Sequence, residues 1–394
     1  MSSALIAMSG GVDSSLAAKI MMDRGYDCIG CTMKLYSNED IVVANPKTCC
    51  SLDDVEDARS VCMHLGIPYY VFNFKEEFKE KVIGKFVDSY EHGRTPNPCI
   101  DCNRYLKFGK LYERAQVLKC DVIVTGHYAR IEKGDDGRYH LLKALDETKD
   151  QSYVLYNLTQ EQLAHTVFPL GDLQKSEVRE AAKDAGMINA EKRESQDICF
   201  VPDGDYVSFL KKTTGKEYPA GDFVDKDGKV LGTHKGIVCY TPGQRRGLGL
   251  ALPAPMYVSR LDVENNRVIL VYDEDLRNTE ALIDDVNWIS GEVPEAEIRV
   301  QAKLRYHQKE QWATAIPLED GKVRLVFDEP IRAITPGQAA VFYNGDEVIG
   351  GGTIIGESRI SLKLTLRPFT SLCSEVPSGY FEESHYSERC VAKE

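Results

Sequence analysis

Three clusters in this chain combine residue types that do chemistry. The first, Ser9-Gly10-Gly11-Val12-Asp13-Ser14-Ser15, follows an apolar run from Ala4 to Met8 and opens a helical pattern (Leu16, Ala17, Ile20, Met21) ending at Gly25. A glycine-rich turn between a buried strand and a helix is suited to an anion. The glycines let the backbone come close to a phosphate, the amides of the helix start point outward, and Ser9, Ser14 and Ser15 offer hydroxyls. Asp13 would repel phosphate oxygens unless a divalent cation such as Mg²⁺ lay between them. The plainer alternative is a serine-glycine turn with a capping aspartate. The string is neither a GxxxxGK[ST] loop nor a GxGxxG fingerprint.

The second cluster is Thr95-Pro96-Asn97-Pro98-Cys99-Ile100-Asp101-Cys102-Asn103, which puts two prolines and a C-x-x-C in a loop before a helix expected from about Arg104 to Leu118. A cysteine at a helix N-terminus has its thiolate stabilised by the dipole, which makes Cys102 a candidate nucleophile. C-x-x-C alone also fits a redox pair, half of a metal site, or coincidence. No second loop C-x-x-C completes a four-thiolate zinc site, since Cys28 and Cys31 fall in an apparent strand on opposite faces. The third cluster is Ser195-Gln196-Asp197-Ile198-Cys199-Phe200, where Cys199 alone would read as a core cysteine.

Alternating strands and helices position these clusters over the first ~200 residues. Strands are expected at Ala4 to Met8, Cys28 to Leu35, Tyr69 to Phe72 and Asp121 to Thr125, the last ending in Gly126-His127. Helices are expected from a Ser51 cap to about Gly66 and from Lys75 to Glu91. This is the pattern of an α/β, doubly wound parallel sheet with ligands at the carboxyl ends of its strands. Past Asp205 the pattern becomes a short helix and then β segments with turns at Asp227-Gly228 and Asn265-Asn266. From Ile298, alternating runs suggest a β-barrel. The expected division is a catalytic domain at 1–205, a small, mostly β connecting domain at 206–285, a C-terminal β-barrel at 286–356, and a polar tail at 357–394 without an assigned role.

The 394 residues are 43% hydrophobic, ordinary for a globular protein of two or three domains. No run reaches the roughly 18 apolar residues that span a bilayer, and no basic region precedes the first strand, so a cytoplasmic location without membrane association is expected. Twelve cysteines in such a chain point to core thiols, metal ligands or catalytic groups rather than a disulfide scaffold. The net charge of −13 argues against a nucleic-acid partner unless a local basic surface exists; Lys192-Arg193, Lys211-Lys212, Arg245-Arg246, and Lys303 with Arg305 are the candidates.

The loop at Ser9 to Ser14 resembles that of the PP-loop ATP pyrophosphatases (adenine nucleotide α-hydrolase-like fold), which cleave ATP to AMP and pyrophosphate. Further along, TPNPCIDCN, TGHYAR (Thr125 to Arg130), KDQSYVLY (Lys149 to Tyr156), SQDICF, GQRRGLGL (Gly243 to Leu250), LRYH (Leu304 to His307) and TPGQAAVFY (Thr335 to Tyr343) occur in order. Together they resemble the bacterial tRNA-specific 2-thiouridylases over about residues 3 to 356. The resemblance implies ATP-dependent adenylation of the C2 oxygen of wobble uridine 34 in tRNAs for Lys, Glu and Gln, then sulfur transfer from a persulfide to give 2-thiouridine. It implies that Cys199 carries the persulfide and that Cys102 releases the sulfur, by a disulfide with Cys199 or by acid/base assistance. A thiolate attacking the inner sulfur breaks such an S–S bond readily. ATP, with Mg²⁺, would meet Ala7, Met8, Ser9, Gly10, Gly11, Val12, Asp13, Ser14, Met33 and Gly126. The target base would meet Asn97, Pro98 and Cys99, and the tRNA His127, Lys149, Asp150, Gln151, Arg305, Tyr306 and Gln338. A persulfide donor such as a cysteine desulfurase or sulfur relay protein is the implied protein partner.

Many relatives carry aspartate where this chain has Cys99. Cys99, Cys102 and Cys199 could therefore hold an iron-sulfur cluster with one open coordination position, an alternative route for the same reaction. Outside it stand a small-molecule PP-loop synthetase, for which no glutaminase domain or ammonia-handling site is recognised, and a non-catalytic RNA-binding protein, against which Asp13 and the two thiols argue.

Overall fold

Ala4, Leu5 and Ile6 are fully buried, the condition of a central strand covered by helices on both faces. The computed structural model describes residues 2–36, 52–192, 198–201 and 204–356. Ser51, Arg193, Ser195 to Asp197 and the 357–394 tail lie outside the described residues. Five parallel strands form the first sheet in the order Tyr69–Asn73, Asp27–Lys34, Ser3–Ala7, Val122–Val124, Thr166–Val167. Successive side chains of the first strand point to opposite faces. Ala4 and Ile6 join a cluster with Ala17, Met21, Val61 and Cys62, while Leu5 joins Phe78, Phe86, Leu106 and Leu111. Cys28 and Cys31 divide between the same two clusters, as their spacing in a strand requires.

One helix departs from its sequence reading. The expected loop-then-helix around Cys102 is helical from Pro98 to Val117, with a π-helical stretch at Cys102–Lys110. The reason lies in residues read as loop formers. Asn97 is the N-cap, its side chain accepting from the Cys99 amide at 3.2 Å, and Pro98 takes the first helical position, where its missing N–H costs nothing. The predicted Lys75 to Glu91 helix forms with a π turn at Lys79–Ile83.

A four-stranded sheet follows in the order Tyr257–Asp262, Arg267–Val271, Gly221–Val224, Val230–His234. Beyond it six antiparallel strands close on themselves: Arg277–Trp288, Val323–Arg332, Gln311–Pro317, Ile298–Lys303, Ala339–Asn344 and Glu347–Gly356, the last pairing with the first. The opening strand begins upstream of residue 286. Its outer side carries the half-buried Glu280 and Asp284, and Asp285 stands exposed at an irregularity of the strand, which hides the inward Ala281 and Ile283 from a periodicity reading. Val300, Ala302, Ala313, Ala315, Leu325 and Phe342 fill the barrel.

The barrel is joined to the parallel-sheet region by backbone. A hairpin at Arg130–Lys133 and Tyr139–Leu142 adds to the barrel's edge, Leu141 opposite Val348 and Leu142 opposite Glu347. Behind it Ile100, Phe108, Tyr153 and Tyr156 form one core with Val341, Tyr343 and Val348. Tyr153, fully buried, donates its hydroxyl to the Ala339 carbonyl at 2.9 Å. Among the described residues no helix is long and apolar enough to cross a membrane. Tyr153→Ala empties a ring's volume and strips a buried carbonyl of its donor, so it should cost about 3–5 kcal/mol in urea unfolding. A loss below about 1 kcal/mol, the scale of the hydrogen bond alone, would mean that this core does not join the two regions.

Candidate functional site

The first strand delivers the chain to Gly10 at φ +72°, a left-handed conformation that glycine adopts without strain, and Gly11 then caps the helix Val12–Asp23 in extended geometry. A β-carbon on Gly10 would lie 2.5 Å from the Asp54 carbonyl oxygen. The hydroxyls of Ser14 and Ser15 both donate to the Gly11 carbonyl at 3.0 Å, so they shape the turn rather than offering themselves to an anion. Ser9 stands exposed at the lip. Gly126, just beyond Val122–Val124, backs onto the turn so closely that a β-carbon there would sit 2.8 Å from Asp13 C and Ser14 N. Ala7 and Met33 pack at the edge of the same apolar cluster beside this turn.

Asp13 has partners that the sequence reading did not anticipate. Lys175 Nζ reaches its two carboxylate oxygens at 2.6 and 2.7 Å, and the Tyr128 hydroxyl donates to Oδ1 at 2.8 Å. Lys175 opens the helix Lys175–Asp184, where a cation opposes the helix dipole. That unfavourable placement is the signal that could have found it. Lys192 Nζ meets Asp54 and Asp57, each at 2.6 Å, and the Gly10 carbonyl at 3.3 Å; Asn189 Nδ2 donates to the same carbonyl at 2.9 Å. An open first turn of amides and a close glycine floor fit a polyphosphate, while the two ammonium groups beside them hold the flanking carboxylates.

Cys99 is exposed in the first turn of the Asn97-capped helix, and Cys102 is partly buried one turn on. The dipole argument made for Cys102 thus belongs to Cys99, because the helix starts earlier than read. Positions i and i+3 share a face, so the two thiols are neighbours on it. Cys199 is partly buried, and its carbonyl accepts the Tyr36 hydroxyl at 3.0 Å. Beside it Phe200 is buried edge-on against Phe78 and Phe86. Cys102 and Cys199 flank one apolar cluster, the one that Ala7 and Met33 also touch. Among the described residues no three His, Cys, Asp or Glu side chains converge as a metal site.

The Lys149 to Gln151 segment links the nucleotide turn to the thiol end. Gln151 exchanges hydrogen bonds with Tyr128, its amide donating to the Tyr128 carbonyl at 2.8 Å and its Oε1 accepting the Tyr128 amide at 3.0 Å. The next carbonyl back, on Asp150, accepts the Tyr306 hydroxyl at 3.0 Å. Burial, then Asp150, then Cys99 push the Tyr306 phenol up to about 12, and its ring packs against the cluster that holds Ile100, the residue after Cys99. Asp150, Tyr306 and Cys99 thus share one neighbourhood.

Other candidate side chains are engaged inside the protein. The Gln151 side chain is committed to Tyr128. One guanidinium nitrogen of Arg305 donates to the Pro242 and Ala333 carbonyls and to the Thr335 hydroxyl. Gln338 Nε2 donates to the Thr95 carbonyl at 2.8 Å, and the Thr95 amide to the Pro336 carbonyl at 2.8 Å. Arg305 and Gln338 therefore clamp the approach to Asn97, Pro98 and Cys99. His127 is buried, its Nδ1 2.6 Å from Thr125 Oγ1 and its ring tilted against Phe108 and Phe168.

Residues 2–203 match the family described as the tRNA methyl transferase HUP domain, 207–272 the tRNA methyl transferase PRC-barrel domain, and 278–354 the aminomethyltransferase beta-barrel domain. Among curated proteins, a tRNA-specific 2-thiouridylase from Clostridioides difficile is 51% identical over 351 residues, covering 89% of this chain and 97% of that protein. One from Thermoanaerobacter sp. is 52% identical over 352 residues with the same coverages, and one from Acetivibrio thermocellus 51% over 352 residues, covering 89% and 98%.

Burial, with the nearby Lys107 ammonium adding to it, holds the His127 pKa well below the ordinary histidine value. The unfolded chain takes up a proton as pH falls through about 6.5 and the folded chain does not. Stability should therefore be lost below that pH, by up to about 1.4 kcal/mol per pH unit from this group. Urea titrations between pH 7.5 and 5.5 should show a shallower decline for His127→Gln; parallel declines would contradict a buried neutral imidazole.

Proposed function

The chain belongs to the tRNA-specific 2-thiouridylase family, and from that membership we propose how its residues divide the formation of 2-thiouridine in tRNA. The family's reaction uses ATP, which supplies the adenylyl group that turns the C2 oxygen of uridine 34 into a leaving group. The turn from Ser9 to Ser14 holds the phosphates on its amides, with Gly126 closing its floor. Lys175 fixes the Asp13 carboxylate and Lys192 fixes Asp54 and Asp57 beside the turn; Asp13 would hold a Mg²⁺, which would supply positive charge for the phosphates.

The target uridine is flipped from the anticodon stack toward Asn97, Pro98 and Cys99, since a stacked base cannot present C2 to both reactants. A persulfide on Cys199 attacks C2 through its outer sulfur, and AMP leaves with the C2 oxygen. The Cys102 thiolate then attacks the Cys199 sulfur and breaks the S–S bond. The bonding pair stays with the sulfur on C2, and the Cys102–Cys199 disulfide formed is reduced by an external thiol before the next cycle. Ile198 and Phe200 exclude water from the persulfide. An iron-sulfur cluster on Cys99, Cys102 and Cys199 is the alternative route to the same product. The persulfide comes from a donor such as a cysteine desulfurase or relay protein.

The observation that carries this reading is the hydrogen-bonded path from Asp13 through Tyr128 and the 150–151 segment to Tyr306, which packs against the cluster holding Ile100, the residue after Cys99. It couples the nucleotide turn to the thiol end. With ATP, a persulfide donor and unmodified tRNA, Cys199→Ser should abolish 2-thiouridine while leaving tRNA-dependent AMP release, and Asp13→Ala should lose both. Equal thiolation by the wild type and Cys199→Ser would refute the role of Cys199. AMP release indifferent to tRNA would indicate small-molecule synthetase chemistry instead.

A further inference from the structure

Lys303 ends the barrel strand Ile298–Lys303. Strand alternation turns Ala302 and Leu304 into the barrel core and leaves Lys303 on the outer wall, half-buried. Its Nζ lies 5.8 Å from the ring centre of Tyr306 and 5.9 Å from that of Tyr153. This is the wall on which Tyr306 meets the Asp150 carbonyl and packs against the cluster that holds Ile100, next to Cys99.

The other charges in this neighbourhood are already occupied. Glu310 pairs with Lys143 at 2.8 Å. The Asp150 carboxylate accepts the Ala144 and Ser152 amides, each at 3.1 Å, and the Ser152 hydroxyl at 2.8 Å. Arg305, two residues along, is spent on the clamp. Among the described residues Lys303 Nζ has no hydrogen-bond or ion-pair partner. Burial depresses its pKa, with Asp150 and Glu310 opposing the shift and Lys143 adding to it. A half-buried ammonium between two aromatic rings, without an anion of its own, is arranged to gain one from outside.

Building on the tRNA-thiolation reading, we infer that Lys303 binds a phosphodiester oxygen of the RNA strand that presents its uridine to Cys99 and Cys102. Tyr306 and Tyr153 hold the ammonium in place, and the phosphate completes its shell. Arg305, the neighbouring cation, ties Pro242 to Thr335 through one guanidinium nitrogen.

The test is equilibrium binding of an unmodified tRNA to wild type, Lys303→Gln and Lys303→Arg across a salt series, with thermal unfolding of each. Loss of one phosphate contact should lower the slope of log affinity against log salt by about 0.7 to 0.9. Between 50 and 200 mM salt the wild type should then lose about threefold more affinity than Lys303→Gln. Lys303→Arg should restore the slope, because guanidinium also binds phosphate. A purely structural lysine would change the unfolding temperature and leave the slope alone, and that result overturns the inference, as does a slope that Arg does not restore. A wild type that makes 2-thiouridine while Lys303→Gln keeps the full slope sinks the inference alone; a wild type that neither binds nor thiolates tRNA sinks the functional reading with it.

Discussion

The Asp13–Lys175 ion pair is the contact on which the rest of the site is built. Both side chains are largely withdrawn from water, and the Tyr128 hydroxyl supplies a third partner. A largely buried pair of this kind contributes little net stability, but removing one member strands the other charge, so the geometry is strongly specified. Tyr128 is thereby fixed at its hydroxyl, and its backbone fixes Gln151. The carbonyl of Asp150 then receives Tyr306 from the barrel. Displacing the carboxylate at the nucleotide turn would propagate along this path through hydrogen bonds rather than through a hinge.

A second constraint acts from the other side. Thr95 is gripped by Pro336 and Gln338 from the barrel, and its hydroxyl meets that of Thr241 at 3.4 Å from the connecting sheet. Arg305 ties Pro242 to Thr335, so the turns at Thr241-Pro242-Gly243-Gln244 and Thr335-Pro336-Gly337-Gln338 are held against one another. The two turns bond alike. In each the glycine amide donates to a strand carbonyl, of Val258 or Ile354, and the same residue's amide returns a bond to the glutamine carbonyl. Three regions of the chain thus meet one turn before Cys99, and the barrel acts at the chemistry by setting where that helix begins.

What was legible from the residues was whatever local chemistry dictates. The glycine turn, its strand and helix, and the inward-outward alternation of Ile298 to Leu304 follow from short-range sterics and burial. What was not legible depended on contacts distant in sequence. Pro98 reads as a loop residue until the Asn97 cap makes it the first helical position. The strand Arg277–Trp288 is too polar on its open side to announce itself, and the 130–142 hairpin has no partner within its own segment. Lys175 lies 162 positions from the carboxylate it pairs with, and only its awkward place at a helix start hinted at the pairing.

Arg305 and Lys303 differ in how the protein engages them. Both are basic, both lie near Tyr306, and a sequence with a net charge of −13 directs attention to any such pair. Planar guanidinium geometry lets Arg305 satisfy several fixed oxygens at once, which suits it to a protein clamp. The ammonium of Lys303 makes no hydrogen bond or ion pair among the described residues and lies over ring faces instead. An acidic protein does not need a broad basic surface to take up an anionic strand if its carboxylates near the site are each matched internally. Glu310 is matched by Lys143 and Asp13 by Lys175, while Asp54 and Asp57 share Lys192. The field an approaching phosphate meets is then set by the few cations left over, and its strength depends on position more than on count.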